Sequence, residues 1–512
     1  MESTKSVYTN NVLKSMTLEN FKCFHQPVKI DFSQITMLYG PNSAGKSSIL
    51  QAICYMAEVL NGNLDVDITS HGGEGMDLGG FQNLLYNHDL NNTMKIGFEL
   101  DLNYVTVDDF VKFEDINNYA SVNNIFIQIE ISHSDYEHHP YVSKIKYLYN
   151  QKYKLGLNVD KDLSKPYIAL HAYDEADMFD YELNDDEIEK TYDELFSDYS
   201  QDCIFIEVDG KNKLGALPRI KKDDYFRIFD DDMDVRTRHV LNLIHIPLNI
   251  LRTLTKQYRF LGPIRNIPPR NFMPQKSHTD ERWADGMAAW DAIQNMSDDE
   301  FSLLNKFLGE EYLNSGYRFR KKELSYIATA FIKNTTSESF NASIINNYKT
   351  DTKQWVLWDE KNNIEVKPHD IGVGISQLLP FLIAMIYDIR SDGIINMVAI
   401  EQPELHIHPK MQVELGDVLI NRAQMGMPLF IESHSEHILL RLLRRIRQTT
   451  NDEVPPERKQ LYPENLSILY VNPPKDNNQS PQIYKLRVDS NGSFIDPWPE
   501  GFFGERGKEL FG

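Results

Sequence analysis

Gly40-Pro41-Asn42-Ser43-Ala44-Gly45-Lys46-Ser47 fits the pattern G-x-x-x-x-G-K-[ST]. An apolar run over residues 35–39 precedes it, and a helical pattern from about residue 45 to residue 60 follows. That context turns a short pattern into a site. Glycines let successive backbone N–H groups wrap a phosphate, and the helix N-terminus adds favourable partial charge. Lys46 is placed to reach the β- and γ-phosphates, and Ser47 to offer its hydroxyl to Mg²⁺. The expected ligand is a nucleoside triphosphate, held by Gly40, Pro41, Asn42, Ser43, Ala44, Gly45, Lys46, Ser47 and Ser48.

The 512 residues around this loop are 41% hydrophobic and 25% charged, with 53 Lys plus Arg against 75 Asp plus Glu, a net charge of −22. Such a chain can bury large cores, which excludes wholesale disorder. It is repelled by nucleic acid and anionic membrane unless basic residues gather locally. No apolar run reaches the ~18 residues of a transmembrane helix, and the first residues carry no apolar signal core. Three scattered cysteines, Cys23, Cys54 and Cys203, suggest neither zinc nor disulfides. The expectation is a cytoplasmic protein with free thiols and no membrane partner.

The patterning predicts an α/β fold with an antiparallel β lobe and a helical insertion. Residues 1–94 read as an N-terminal half with the phosphate loop, and residues 95–235 as a β-rich lobe of short strands. The lobe carries an acidic stretch over 174–202, either solvated surface or a docking face for a basic partner. Residues 236–345 read as a helical insertion, with helices expected at 236–256 and 282–307 and strands at 318–332 and 340–345. Residues 346–475 alternate helix and strand: helices 376–389, 409–424 and 435–449 with strands 394–400, 429–432 and 466–471. That is a βαβ pattern, with 394–400 apolar enough for burial on both faces. Residues 476–512 form a tail.

The strand 394–400 runs into Glu401-Gln402-Pro403-Glu404. A carboxylate at the end of an apolar strand is what a second Mg²⁺ contact requires, and Glu401 holds that place. Gly372-Val373-Gly374-Ile375-Ser376-Gln377 reads either as a second anion-binding surface or as an ordinary loop with Ser376 as a cap. His434, after strand 429–432, reads by itself as a structural or capping histidine. His406-x-His408 falls in a turn, where a structural role outweighs a metal pair. On helix 435–449, Leu439, Leu442, Leu443 and Ile446 share one face. Arg441, Arg444 and Arg445 share the other, either solvated or aimed at phosphate or an acidic neighbour.

These four elements occur in the order of an ABC-type ATPase head. With Leu18-Glu19-Asn20-Phe21-Lys22, Ile400-Glu401-Gln402-Pro403-Glu404-Leu405-His406-Ile407-His408-Pro409 and Glu432-Ser433-His434-Ser435, the chain resembles the ABC-like AAA ATPases, relatives of the RecF, SMC and OLD groups. Leu261-Gly262-Pro263-Ile264-Arg265 and Trp498-Pro499-Glu500-Gly501-Phe502-Phe503 resemble the subgroup with a C-terminal domain of unknown function. The resemblance implies an ABC head that sandwiches ATP and Mg²⁺ between two protomers, as a head-to-tail dimer or a larger homo-oligomer. It implies that Lys22 joins the phosphate loop, and that Gly374 and Ser376 serve the partner's γ-phosphate. His434 would then sense that phosphate. Gln82 is either the glutamine that senses metal and water or a plain loop glutamine.

Relatives commonly carry a second carboxylate directly after the first, where this chain has Gln402. An amide takes no proton and so cannot give the general-base help of roughly 10²–10⁴-fold; Gln402 can still orient water by hydrogen bonds, as in GTPases, and Glu404 lies close enough to be the replacement base. Slow hydrolysis is expected, with bound nucleotide acting as glue. Related ATPases pair with nucleases in bacterial anti-phage systems, which implies a sensor or scaffold for a separate effector. The alternatives are a RecF-like repair ATPase acting on DNA and a regulator that does not hydrolyse. DNA contact requires Arg259–Arg270 or Arg441–Arg447 to form a local basic patch.

Overall fold

A computed structural model describes residues 12–65, 78–104, 123–134, 138–150, 153–159, 167–173, 204–207, 235–270, 272, 282–327, 349–387, 397–474 and 479–499. The acidic stretch 174–202, Cys203, the expected strand 340–345 and the ending 500–512 lie outside the described residues.

The first half runs β1 (Leu13–Glu19), β2 (Val28–Asp31), β3 (Ile35–Tyr39), α1 (Lys46–Leu60), α2 (Gly80–Leu84) and β4 (Met94–Asp101). β5 (Asn124–Ser134), β6 (His139–Tyr149), β7 (Tyr153–Val159), β8 (Tyr167–Tyr173) and β9 (Ile204–Glu207) follow. The middle holds α3 (Val235–Lys256), β10 (Tyr258–Leu261), α4 (Met287–Ala292), α5 (Asp298–Leu308), β11 (Tyr317–Ile327), β12 (Lys349–Asp359) and β13 (Ile364–Val366). The last part runs α6 (Val373–Ile386), β14 (Met397–Glu401), α7 (Pro409–Gln424) and β15 (Leu429–Glu432). It ends with α8 (Glu436–Thr450), β16 (Leu466–Asn472) and β17 (Gln482–Leu486).

Six strands form a mixed sheet in the order β10-β14-β15-β3-β16-β17, parallel except for β17. Successive side chains on a strand face opposite ways, so each parallel strand feeds two cores. Leu38, Met397, Ala399, Phe430 and Leu469 enter one, and Met37, Val398, Ile400, Ile431 and Ile468 the other. The first core lies against α1 and the antiparallel sheet β2-β1-β4-β5-β6-β7-β8-β9; the second takes α4 to α8. Burial on both faces is why residues 397–400 carry no polar side chain.

Two expectations change. β4 pairs with β1, so the boundary placed after residue 94 falls within one continuous sheet, and of the first three strands β3 alone joins the parallel sheet. The helix expected over 282–307 is two, broken before Ser297. Ser297 accepts the Glu300 N–H (3.2 Å) while the Glu300 carboxylate accepts the Ser297 N–H (2.6 Å). That reciprocal cap starts α5 afresh.

The arginine face of α8 is not free. Arg441 reaches Asp417 (2.5 Å) and Glu414 (2.8 Å), and Arg445 reaches Asp417 (2.6 Å). Arg458 adds contacts to Glu414 (3.1 Å) and Asp417 (3.3 Å). Asp417, on α7, is buried among three guanidinium groups, and the network locks α7 to α8. Arg444 and Arg447 remain exposed. Removing one member of a buried ion network costs roughly 3–5 kcal/mol because the rest stay desolvated. Asp417→Ala is expected to lower stability by that amount in denaturant unfolding. A loss below about 1 kcal/mol, the range of exposed pairs, contradicts the burial argument.

Candidate nucleotide site

The carboxyl ends of β3, β14 and β15 reach the same edge of the sheet, the place where parallel sheets hold ligands. The phosphate loop leaves β3 through Gly40, at φ +139°, where a Cβ would stand 2.2 Å from the Val471 carbonyl oxygen. It enters α1 through Gly45, at φ +103°, where a Cβ would stand 2.6 Å from Cys23 Sγ. Both glycines are therefore required by fit as well as by φ.

Lys46 is only 3% exposed; its Nζ donates to the carbonyls of Gly40 (3.0 Å) and Pro41 (2.9 Å) and lies 3.5 Å from Glu432 Oε1. Ser47 Oγ donates to Glu432 Oε2 (2.8 Å). Glu432 pairs with Glu401 across β15 and β14, so both carboxylates leave the sheet on the same face, at 6% and 8% exposure. The Glu401 carboxyl is pushed up to about 7, first by burial and then by the Glu432 charge, against the pull of Ser47, Lys46 and Lys22. Among the described residues Glu401 Oε1 has no hydrogen-bond partner. A buried, unpartnered carboxylate oxygen beside a hydroxyl and a second carboxylate suits a hard divalent cation, and two carboxylates suffice for Mg²⁺, which keeps several waters.

Lys22, at φ +48°, donates from Nζ to Gln51 Oε1; burial lowers its pKa, and Glu401 is among the charges opposing that. A cavity of about 660 Å³ opens beside Lys22, lined also by Cys23, Leu78, Leu85, Tyr86 and His88, and Lys46, Ser47, Glu401 and Glu432 are not in its lining. His434 is half-buried; burial and the Lys46 charge lower its pKa, so the imidazole stands neutral near that lysine. Lys22, Lys46, Ser47, Glu401 and His434 thus come together.

Other expected residues sit differently. Gln82 is exposed, and its amide donates to the His88 carbonyl (3.1 Å). Among the described contacts none joins it to Ser47 or Glu401. Glu404 accepts the His434 N–H (2.6 Å) and the Ser433 hydroxyl (3.0 Å), so its carboxylate braces the His434 loop. Burial pushes that carboxyl up. Gln402, at φ +48°, donates its N–H to the Glu432 carbonyl (2.8 Å). α6 starts at Val373, three residues earlier than expected, so Ser376 lies inside it, fully buried, donating to the Val373 carbonyl (2.9 Å). A Cβ on Gly374 would stand 2.4 Å from the His406 carbonyl oxygen, so that glycine permits close packing of α6 on the 402–408 turn. Gly372 and Val373 face outward. His408 caps α7, its Nδ1 accepting the Lys410 N–H (3.2 Å).

Two contributors were missed. Glu432 has the same signal as Glu401, an apolar run ended by a carboxylate. Arg265, 1% exposed, donates to the carbonyls of Gln402 (3.2 Å), Pro263 (3.4 Å) and Glu401 (3.4 Å). Burial lowers its pKa to about 10. With Arg259 buried too, and Arg270 paired with Asp370, the basic patch over Arg259–Arg270 that DNA contact would require does not form among the described residues.

A family model described as AAA ATPase domain matches residues 12–262 and 275–439, and one described as a protein of unknown function, DUF3696, matches residues 461–511. No curated protein matches the chain. The SMC head domain from Thermotoga maritima is similar at 11% identity over 93% of this chain and 100% of its own, with TM-score 0.37. An Smc head domain with an extended coiled coil, bound to the C-terminal domain of ScpA and derived from Pyrococcus furiosus, is similar at 10% identity. That match covers 93% of this chain and 96% of the other, with TM-score 0.38.

Glu401 generates a stability prediction. Its folded pKa of about 7 exceeds the unfolded value, so its contribution is fully present below about pH 4.3 and is lost as pH rises through 7. At pH 8 the ionised carboxylate costs up to about 3 kcal/mol against a neutral isostere. Glu401→Gln is expected to raise Tm of the nucleotide-free protein at pH 8 far more than at pH 5. Equal shifts at both pH values in a thermal scan contradict this.

Proposed function

The chain belongs to the AAA ATPase domain family, and from that premise we propose an ABC-like ATPase that binds ATP with Mg²⁺, turns it over slowly and uses bound nucleotide to gate its hold on a separate effector. The observation that carries the reading is the meeting of Lys46 and Ser47 with Glu401 and Glu432 at one sheet edge. Slow turnover follows from the residues that come after Glu401. Gln402 accepts no proton, and Glu404 is committed to the His434 loop. Two copies meet head to tail, each presenting the exposed first turn of α6, Gly372-Val373-Gly374, to the other's triphosphate. Ser376 supports that turn from inside and makes no contact across the interface. The effector is a nuclease on another polypeptide, in bacterial anti-phage defence, as the motif resemblance implies.

The repair reading loses ground because Arg441 and Arg445 are consumed by Asp417 and Glu414, and Arg259 and Arg265 are buried. Lys46→Ala is expected to weaken ATP binding at least tenfold in calorimetry, with wild-type turnover below roughly 10 s⁻¹, the ordinary enzyme median. Duplex DNA is expected to leave that rate unchanged. ATP binding that survives Lys46→Ala unaltered defeats the reading, and a rate raised severalfold by DNA favours the repair ATPase.

A further inference from the structure

We infer that Glu432 is a working residue of this site: with Glu401 and Ser47 it makes the oxygen-donor set that takes the divalent cation accompanying the triphosphate. The inference rests on the nucleotide-site reading above and adds to it the carboxylate that Gln402 does not supply.

Strand order provides the placement. β15 lies between β14 and β3, so its last residue stands between Glu401 and the phosphate loop. Glu432 accepts the Ser47 hydroxyl (2.8 Å) and sits 3.5 Å from Lys46 Nζ. These are the two side chains that metal and phosphate recruit in such loops. Binding therefore takes both partners from Glu432. At 6% exposure it would be left as a desolvated carboxylate beside a second one at 8%, an arrangement that is costly unless a cation intervenes. A divalent ion between Glu401 and Glu432 resolves the charge, because a bound cation becomes the largest local charge and reverses the repulsion. The unpartnered Glu401 Oε1, buried on the same face of the sheet, is the second observation that points to a ligand there.

The experiment measures ATPγS binding to the full chain by calorimetry, in Mg²⁺ and in EDTA. In the wild type Mg²⁺ is expected to tighten binding. Glu432→Gln, nearly isosteric and still able to accept from Ser47, is expected to cut that enhancement by 10–100-fold, the range for losing a supporting metal contact. Its affinity in EDTA should be equal or higher, because Lys46 is released from its counter-charge. An unchanged Mg²⁺ enhancement in Glu432→Gln overturns the inference. If that variant does not fold, Glu432→Asp decides: the withdrawn carboxylate is expected to cut the enhancement at least threefold, and an unchanged value overturns the assignment. A wild-type chain that binds no ATPγS in either condition overturns the nucleotide-site reading itself.

Discussion

Parallel strands that end together bring their last side chains together, and in this sheet those side chains are Glu401 and Glu432. Two carboxylates side by side at such low exposure repel each other with little water to screen them. The surrounding segments answer that problem. Lys46 and Ser47 come from the start of α1, and Lys22 from the turn after β1; each favours the ionised form of Glu401, and the first two also contact Glu432. The charge balance thus joins β14, β15, the phosphate loop and the residue-22 turn, which are far apart in sequence. It also explains why the loop is so tightly formed. With its ends fixed by Gly40 against Val471 and Gly45 against Cys23, Lys46 folds back over the loop's carbonyls toward Glu432.

A second constraint holds α6 to the same edge. Arg259 on β10 donates to the Ala384 (2.7 Å) and Tyr387 (2.6 Å) carbonyls at the end of α6, where a cation suits the helix dipole. Its guanidinium also lies over the Trp283 ring at 4.7 Å. Arg265, a few residues on, donates its own N–H to Gln377 Oε1 (2.9 Å), and its side chain donates to the Glu401 and Gln402 carbonyls. The segment 258–265 is therefore a brace that pins α6 at both ends and ties its first turns to the strand end carrying Glu401. Contacts run unbroken from the cation site to the outward face of α6. Such continuity is a precondition for coupling nucleotide state to a neighbouring surface, though spatial connection alone does not measure it.

What could be read from the sequence was local. The phosphate loop declares itself because glycine spacing, preceding strand and following helix sit within about two dozen residues, and strands 397–401 and 429–432 declare themselves by unbroken apolarity. The errors came from partners supplied by distant segments. The arginines of α8 look like a free basic face until Asp417 and Glu414 of α7 are set against them. Gly374 looks like an anion-binding glycine, and its requirement comes from the His406 carbonyl packed against it. The 95–207 strands look like a separate lobe because nothing local shows that β4 pairs with β1. Glu432 is legible by the same rule as Glu401, an apolar strand ended by a carboxylate.

Gln402 shows how chemistry at this edge is separated from shape. Its backbone is held in the left-handed region by its N–H to the Glu432 carbonyl and by Arg265 on its own carbonyl. No bond that defines the turn passes through its side chain, so amide or carboxylate could stand there with the same fold. An amide there offers no proton acceptor, whatever the fold of the turn. The carboxylates that remain lean toward Lys46 and Ser47, on the phosphate-loop side, where they answer the charge of lysine and cation. Charge balance is thus built on the phosphate-loop side of this edge, while the residue that follows Glu401 brings an amide that takes no proton.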